Sequence, residues 1–382
     1  MRRITRSLIS SIVCITLTVI LLCLPFLEDI TFSETIHSGF ASLANNLNLD
    51  PTYAFAKERP SVIGQNVSSG NNKIVSLSTK SQSKNTLPLI IDSTKIDYMS
   101  YITRFTISSK VKAAINVKNP DITINASSAI LLDVRNGKVL YSKAATSPIF
   151  PASTAKLLSA LVLMDWYKTS DIITVGDEVE LITKDASVAN LKKGEVLTVS
   201  TLLSAMLLPS GNDAAYVTAV HVGRKSLKNS KASNMTAIKE FVRLMNAKAK
   251  KLGAENSNFV TPDGYDAKGQ YTTAYDMGRI ALAAVKNNTI LSVTKRSSMT
   301  VTLISGQTLT WKNTNSLINK SSEWYAPHAI GLKTGTTTMA GKCLISAAKN
   351  DKGMVISVIM HSSTTGRWND SINLLTYGLK KL

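Results

Sequence analysis

The sequence predicts an α/β fold in which strands and helices pack into one domain over residues 119–382. Three observations support this prediction: a β-hairpin signal at 129–141, a long apolar helical segment at 157–167 and a β-rich stretch at 341–346. With 44% hydrophobic and 18% charged residues, the composition is typical of a folded domain rather than of a disordered or polytopic membrane chain. A domain of this length can bury a substantial core.

The first 27 residues form a segment of their own. Arg2, Arg3 and Arg6 precede 21 uncharged residues, Ser7–Leu27, which are rich in Leu, Ile and Val. A run of this length can cross a bilayer as one helix, or it can be the core of a cleaved signal peptide. We expect a retained anchor, because no strong cleavage site follows, with secretion after signal cleavage as the alternative. In both cases the arginines stay inside and the body is exported across the membrane.

Residues 28–118 are predicted to be a spacer between this segment and the domain. The part from 57 to 87 is rich in Ser, Asn and Lys and shows no sustained periodicity, which is typical of a largely flexible linker. Short apolar patches over 88–118 allow partial order there. As a flexible coil, the whole spacer would reach roughly 50 Å.

The net charge of +19 bears on partners. The basic residues are dispersed and no zinc-finger or RNP-type motif occurs, so nucleic acid is not expected as a partner. A surface that faces anionic cell-wall polymers or lipid head groups accounts for the charge. The three cysteines and four histidines show no HExxH or CxxC spacing, so a zinc site is not expected.

The first candidate for chemistry is the pair Ser153 and Lys156. Pro151 marks the start of a helix whose run Leu157–Tyr167 is apolar on nearly every face and is therefore expected to be buried. A spacing of three places both side chains on one face at the helix N-terminus, where the dipole favours a developing alkoxide. Burial disfavours the ammonium form of such a lysine, which can then act as a base. An ordinary surface Ser and Lys is the alternative.

Two further segments carry candidate residues. Ser-Gly-Asn at 210–212 lies between two apolar helical stretches and predicts a turn, which is either a helix cap or a loop that projects a hydroxyl and an amide into a cleft. Lys-Thr-Gly at 333–335 lies shortly before the β-rich stretch. On a strand it would offer a cation, a hydroxyl and close backbone access to a substrate carboxylate, and an ordinary exposed strand is the alternative.

In the order SxxK, SxN and KTG, these motifs resemble the catalytic set of the penicillin-binding proteins and serine β-lactamases. Within that superfamily, residues 119–382 are similar to the serine-type D-alanyl-D-alanine carboxypeptidases of low molecular mass, peptidase family S11. The resemblance extends to the opening segment 127–145, to 258–264, to 271–276 and to Arg-Trp-Asn-Asp at 367–370.

Two departures from the family pattern stand out. Asp263 occupies a position where many relatives have His after Pro. Many relatives also carry a β-rich domain and an amphipathic membrane helix after the catalytic domain. Neither is recognisable after Gly378, so we expect the N-terminal segment to provide the anchoring.

The resemblance implies a fold of the α+β type, with an antiparallel sheet flanked by helices beside a helical lobe, as in β-lactamases and transpeptidases. It implies that Ser153 attacks the carbonyl between two D-alanines of a peptidoglycan pentapeptide stem, that Lys156 is the base and that Ser210 passes the proton to the leaving amine. The implied substrate-binding residues are Asn212, Lys333, Thr334, Gly335 and Thr336. Backbone N–H groups of Ser153 and Thr336 are implied to form the oxyanion hole, β-lactams are expected as covalent inhibitors, and no metal or organic cofactor is implied.

Three other classes compete with this interpretation. A class A β-lactamase needs a glutamate for deacylation in a Glu-x-x-Leu-Asn segment, and none of the glutamates between Asn212 and Lys333 has that context. A penicillin-sensing, wall-binding module would keep the fold without turnover, but the complete motif set argues against it. A Ser-His-Asp hydrolase is not expected, because no Gly-x-Ser-x-Gly elbow occurs.

Overall fold

The computed structural model of the protein describes residues 105–382, which belong to one compact unit. Its centre is a five-stranded antiparallel sheet with the strand order β2-β1-β9-β8-β7. These strands are β1 (Ser128–Asp133), β2 (Val139–Lys143), β7 (Ala329–Thr337), β8 (Gly341–Lys349) and β9 (Met354–Ser362). Two small antiparallel pairs lie outside this sheet: β3 (Ile172–Thr174) with β4 (Val196–Thr198), and β5 (Ser298–Thr302) with β6 (Thr308–Lys312).

The helices cover the sheet and form a lobe beside it. In chain order they are α1 (Ser109–Ile115), α2 (Lys156–Trp166), α3 (Val199–Leu207), α4 (Asn212–Ser226), α5 (Asn234–Lys251), α6 (Ala274–Lys286), α7 (Asn288–Thr294) and α8 (Gly366–Lys381). Helices α2 to α5 pack against one another as the helical lobe. Helix α6 packs on β1 and β9, and α8 packs on β1, β8 and β9.

Two apolar clusters fill the space between these layers. The larger one lies between one face of the sheet and the helical lobe with α6, and it includes Leu158 and Ile345. The smaller one lies on the other face beneath α8 and includes Leu344 and Leu374. Because Leu344 and Ile345 are neighbours on β8, they show the alternation that places successive side chains of a strand on opposite faces. Both faces of the sheet are therefore covered, as expected for its continuous buried runs.

The structure confirms the elements predicted for the domain. The hairpin is β1 with β2, where Asn136 and Gly137 lie in the connecting turn and Gly137 adopts a positive φ of 72°. The apolar helix is α2, whose residues from Lys156 to Leu163 are all buried. The segment Lys333–Gly335 lies on β7, and the antiparallel sheet with helices is the implied α+β fold.

Residues before the predicted boundary at 119 also pack onto the domain. Helix α1 lies within the segment assigned to the spacer, and Val111 on it is buried. Ile115 and Val117 pack against the larger apolar cluster, and the ring of Phe105 contacts that of Tyr271 edge-on. The part of the predicted spacer from 105 to 118 thus includes residues that pack on the domain.

The predicted anchor or signal segment 1–27 and the spacer from 28 to 104 lie outside the described residues. Within residues 105–382, no helix has the length and apolar character needed to cross a membrane. The prediction of an N-terminal anchor therefore stays a prediction.

Candidate active site

Ser153 lies at the junction between a tight turn and a buried helix. A 3₁₀ turn, Ala152–Ala155, leads directly into α2, and Ala152 adopts a left-handed φ of 47°. Such a conformation is strained for a residue other than glycine, and strain of this kind is concentrated at functional sites. Ser153 lines a cleft of about 450 Å³, whose other lining residues are Asp185, Ala186, Ser187, Asn212, Tyr265, Thr336, Thr337, Thr338, Gly341 and Lys342.

The side chain of Lys156 is completely buried and reaches the nucleophile directly. Its Nζ donates to Ser153 Oγ at 2.9 Å, to Asn212 Oδ1 at 2.7 Å and to the carbonyl oxygen of Asp263 at 3.0 Å. Burial lowers the pKa of Lys156 to about 8, although the negative charges of Asp263 and Asp213 oppose this shift. The lysine is therefore close enough to accept the proton of Ser153, and a pKa of about 8 leaves a fraction of its amine neutral near pH 7.

Ser210 and Asn212 come from the connection between α3 and α4. The carboxamide of Asn212, the first residue of α4, accepts from Lys156, and its backbone N–H donates to Ser187 at 2.8 Å. Ser210 is buried and has a φ of 68°, but its hydroxyl forms no side-chain hydrogen bond within residues 105–382. The structure thus joins Asn212 to the Ser153–Lys156 pair. No hydrogen bond within the described residues joins the Ser210 hydroxyl to either of them.

Between these two residues, Gly211 has no room for a side chain. A Cβ there would lie 2.7 Å from the carbonyl oxygen of Ala205 and 2.7 Å from Asp213 Oδ1. The carboxylate of Asp213 is buried and accepts from the N–H groups of Ala189 and Leu191 at 2.9–3.0 Å. Glycine at this position therefore lets the 210–212 turn pack against the loop that forms one rim of the cleft.

Lys333 and Thr334 stand on β7, the edge strand of the sheet. Lys333 is completely buried, and its Nζ donates to the carbonyl oxygen of Thr334 at 3.0 Å. Burial lowers the pKa of Lys333, and the nearby cations Lys156 and Arg367 lower it further. The hydroxyl of Thr334 is 2.6 Å from that of Thr314. Because the two buried ammonium groups repel each other, a proton on one lysine makes protonation of the other less favourable.

Gly335 brings β7 into contact with the turn that carries the nucleophile. A Cβ at this position would lie 2.9 Å from Ala152 Cβ and 3.1 Å from the backbone nitrogen of Ser153. Real Cβ atoms rarely approach so closely, so an alanine here would push the strand and the turn apart. Thr336 follows on the same strand, is exposed and lines the cleft.

The backbone of Asp263, rather than its side chain, holds Lys156. The carbonyl oxygen accepts from Nζ, whereas the carboxylate accepts from the N–H of Tyr265 at 3.0 Å. The next residue, Gly264, has a φ of 83° and passes so close to Ala152 that a Cβ would overlap its carbonyl oxygen. A change from His to Asp at position 263 therefore keeps the direct contact to the lysine and alters the charge nearby.

Arg367 is a site residue that the sequence reasoning named only as part of the family resemblance. Its Nη1 donates to Thr336 Oγ1 at 3.4 Å, its guanidinium lies 4.2 Å from the ring centre of Trp368, and its buried Nε has no partner within residues 105–382. A local signal existed, because Arg367 lies in the first turn of α8, where the helix dipole disfavours a cation. Such a placement suggests a role other than helix stability.

Cys343 is not a competing nucleophile. It is buried on β8, and burial raises the pKa of its thiol to about 12, whereas cysteine chemistry requires the thiolate. No group of three or more His, Cys, Asp or Glu side chains among residues 105–382 is arranged to hold a metal ion. The candidate chemistry of the described residues is therefore centred on Ser153.

Comparisons with known proteins point to one family. The profile of the Peptidase_S11 family, described as D-alanyl-D-alanine carboxypeptidase, matches residues 113–364. The D-alanyl-D-alanine carboxypeptidase DacF of Bacillus subtilis is 30% identical over 259 residues, which cover 67% of this chain and 62% of DacF. The chain therefore spans less than two thirds of the length of that relative.

Two solved structures are similar to this chain. The Streptomyces K15 DD-transpeptidase superposes with a TM-score of 0.62 at 31% identity, covering 69% of this chain and all of that one. Penicillin binding protein 6B from Escherichia coli superposes with a TM-score of 0.60 at 28% identity, covering 70% of this chain and 81% of that one. Both cover a share of the chain similar in size to the part that the structure describes.

Proposed function

The chain belongs to the peptidase S11 family of D-alanyl-D-alanine carboxypeptidases, and we propose that it removes the terminal D-alanine from peptidoglycan stem peptides through an acyl-enzyme on Ser153. The observation that carries this proposal is the contact of the buried Lys156 Nζ with Ser153 Oγ at 2.9 Å. A buried amine beside a serine hydroxyl is the arrangement that activates a serine without a histidine.

Acylation begins when the neutral amine of Lys156 takes the proton of Ser153 as Oγ bonds to the carbonyl carbon. The backbone N–H groups of Ser153 and Thr336 are proposed to bind the resulting oxyanion, a contribution of about 3 kcal/mol per donor in other acyl enzymes. The C–N bond then breaks, and the proton returns from Lys156 through the hydroxyl of Ser210 to the leaving amine of D-alanine. The Oδ1 atom of Asn212 accepts from Lys156, and the Nδ2 group of the same side chain is proposed to donate to the substrate amide and so orient it.

The substrate carboxylate is proposed to set the protonation state of the two buried lysines. The charge of Arg367 lies close enough to lower the pKa of Lys333, and a bound carboxylate would favour the charged form of Lys333. A proton held on Lys333 makes a second one on Lys156 less favourable, because the two ammonium groups repel each other. Binding of the substrate would therefore promote the neutral base that acylation needs.

Deacylation requires a water molecule that attacks the ester carbonyl while Lys156 again accepts a proton. The released acid is the shortened stem peptide, and Ser153 recovers its own proton. For a β-lactam the ring-opened product stays attached, so it obstructs the approach of water to Lys156. We propose that β-lactams acylate Ser153 and leave it slowly, whereas rapid multiple turnover of penicillin would assign the chain to the β-lactamases instead.

The proposed activity is tested with the full chain and a pentapeptide that ends in D-Ala-D-Ala. Free D-alanine should appear in an amount that exceeds the enzyme many times over, and Ser153→Ala should release none. Mass spectrometry after benzylpenicillin treatment should find a long-lived adduct on the peptide that contains Ser153. Labelling by penicillin without D-alanine release would instead indicate a sensing module.

The place of action is also a proposal. The basic N-terminus and the apolar run Ser7–Leu27 support anchoring in the bacterial membrane with the catalytic domain on the outer side. The full chain should then require detergent for release from the membrane fraction, and a chain that begins at residue 28 should not. Recovery of the full chain without detergent would favour cleavage of the segment and secretion.

A further inference from the structure

The backbone carbonyl that accepts from Lys156 belongs to a turn over residues 260–265. None of the residues from 260 to 265 lies in a helix or strand, so the position of this carbonyl depends on side chains from other segments that bind the turn. On the side of α2, Ser159 Oγ donates to the carbonyl oxygen of Pro262. The two ends of the turn are held by a different residue, Gln270.

Gln270 binds both ends of the turn with one carboxamide. The residue is 2% exposed. Its Oε1 accepts from the backbone N–H groups of Val260 and Thr261 at 3.1 and 3.2 Å, and from the hydroxyl of Thr261 at 3.2 Å. Its Nε2 donates to the carbonyl oxygen of Tyr265. A single buried amide therefore connects the beginning of the turn to its end.

Thr261 extends this network to the peptide group that contacts the base. Its Oγ1 accepts from the N–H of Gly264 at 3.1 Å, and the carbonyl oxygen of Asp263 accepts from Lys156 Nζ at 3.0 Å. This N–H and this carbonyl belong to the same peptide group, which is planar. A bond that fixes the N–H therefore also fixes the direction of the carbonyl on the opposite side.

From these contacts we propose that Gln270 is a positioning residue for Lys156, because it sets the direction of the Asp263 carbonyl that holds the amine. The inference rests on the proposed function, in which this amine takes the proton of Ser153. An ammonium group donates more strongly than a neutral amine, so the carbonyl also favours the protonated lysine. Loss of its contact should then change both the proton affinity and the placement of the base.

The test is the substitution Gln270→Met in the full chain, which keeps the approximate length of the side chain and removes its hydrogen bonds. The second-order rate constant for acylation by benzylpenicillin is measured against pH. The midpoint of the acid limb should move to lower pH by about one unit, because the ammonium form loses an acceptor. The limiting rate at high pH should fall about tenfold, because the amine is held less firmly beside Ser153.

The charged groups that face Lys156 are not altered by this substitution. They are the carboxylates of Asp213 and Asp263 and the ammonium group of Lys333. A displaced midpoint therefore reports the contact of the carbonyl rather than a change in neighbouring charge.

Asn246→Leu is the matched control. The carboxamide of Asn246 accepts from the N–H of Phe259 at 2.8 Å and donates to the carbonyl of the same residue at 2.7 Å, so it binds the chain just before the turn. Its loss should lower stability and leave the midpoint at the wild-type pH. A Gln270 with a merely structural role would behave in the same way, and a shift of equal size in the control would contradict the proposal.

Thr261→Val tests the same network at a second residue, because it removes the acceptor of the Gly264 N–H and retains Gln270. The midpoint should again move to lower pH. An unchanged or higher midpoint in Gln270→Met overturns the positioning role, and if that variant does not fold, an unchanged midpoint in Thr261→Val does so. Either result with normal wild-type acylation leaves the proposed function intact. A wild-type enzyme that is not acylated and releases no D-alanine overturns the proposed function itself.

Discussion

Asp370 and Lys156 are buried ionisable side chains on opposite faces of the sheet, and they differ in the hydrogen-bond partners that compensate for their burial. Asp370 on α8 is fully buried and accepts from the N–H groups of Asn125 and Ala126 at 2.9 Å, and Ser362 Oγ adds a further bond at 3.2 Å. Lys156 is equally buried, but one of its three acceptors is the hydroxyl of Ser153, which lines the cleft. Asp370 stabilises the fold by linking α8 to residues 125 and 126, whereas Lys156 contacts a hydroxyl that can react.

The comparison teaches that burial of a charge does not by itself indicate function. A carboxylate that is satisfied by backbone N–H groups has completed its bonding within the fold. The hydrogen bonds of Lys156 do not fully compensate for the burial of its ammonium group, because burial still lowers the pKa of Lys156 to about 8. The partner of the buried group, and its access to a cavity, distinguish a structural charge from a catalytic one. Four substitutions test this distinction.

The largest effect should follow the substitution Lys156→Arg. Arginine keeps the charge and the approximate reach, but its guanidinium does not deprotonate in proteins. We expect the acylation rate by benzylpenicillin to fall by about 10³-fold, within the usual range for loss of a general base. Lys380→Arg, an exposed exchange on α8, is the matched control and should change nothing. Substantial acylation in Lys156→Arg would refute the base assignment.

Gly335→Ala should disturb the geometry of the site without removing any catalytic group. The added methyl would meet Ala152 and Ser153 at about 3 Å, and displacement of a nucleophile by a fraction of an ångström to 1 Å costs up to about 10²-fold in kcat/KM. Gly306→Ala adds a methyl where no atom lies within 4 Å. That control should retain full activity per folded molecule, and equal activity in both variants would contradict the close packing of β7 on the Ser153 turn.

Asp370→Ala, on the other face of the sheet, should lower stability without lowering the activity of the folded enzyme. Its removal leaves the N–H groups of Asn125 and Ala126 unsatisfied, so we expect the free energy of unfolding to fall by about 2–3 kcal/mol. The kcat/KM per folded molecule should stay at the wild-type value. Urea denaturation and D-alanine release measure the two quantities, with Ser153→Ala as the reciprocal control that loses activity but not stability. A large loss of kcat/KM in folded Asp370→Ala would break the comparison.

The smallest effect should come from Asp263→Asn. The negative charge of Asp263 opposes the lowering of the pKa of Lys156, so its removal should lower that pKa further and shift the acid limb of the acylation profile to lower pH. The amide oxygen can still accept from Tyr265, and the backbone carbonyl still accepts from Lys156. A modest gain in acylation rate below pH 7 is expected, and a shift to higher pH would be inconsistent with this role.

The sequence predicted the contact between Ser153 and Lys156, but not the other partners of Lys156. A spacing of three between Ser153 and Lys156 places the pair in one turn, so their contact is a local property that a motif can reveal. The other partners of Lys156, Asn212 and the carbonyl of Asp263, lie 56 and 107 positions away in the chain. Complete rather than partial burial of the lysine depends on these distant segments, and no local pattern contains that information.

Two further features needed the three-dimensional structure for the same reason. Asp370 reads as an ordinary polar residue of an amphipathic helix, and only the approach of residues 125 and 126 explains why it is buried. Helix α1 lies in the segment predicted to be a spacer, and its single buried residue, Val111, gives too short an apolar pattern to signal a helix. Both features depend on packing between segments that are far apart in sequence or weakly patterned.

The central claim is that buried Lys156 acts as the base for Ser153, and the pH dependence of acylation tests it most directly. The second-order rate constant for benzylpenicillin with the full-chain enzyme should be measured from pH 5.5 to 9.5. Because only the neutral amine accepts the proton, the rate should rise about tenfold per pH unit and level off above the pKa of about 8. A rate that is constant from pH 6 to 9 would contradict the claim.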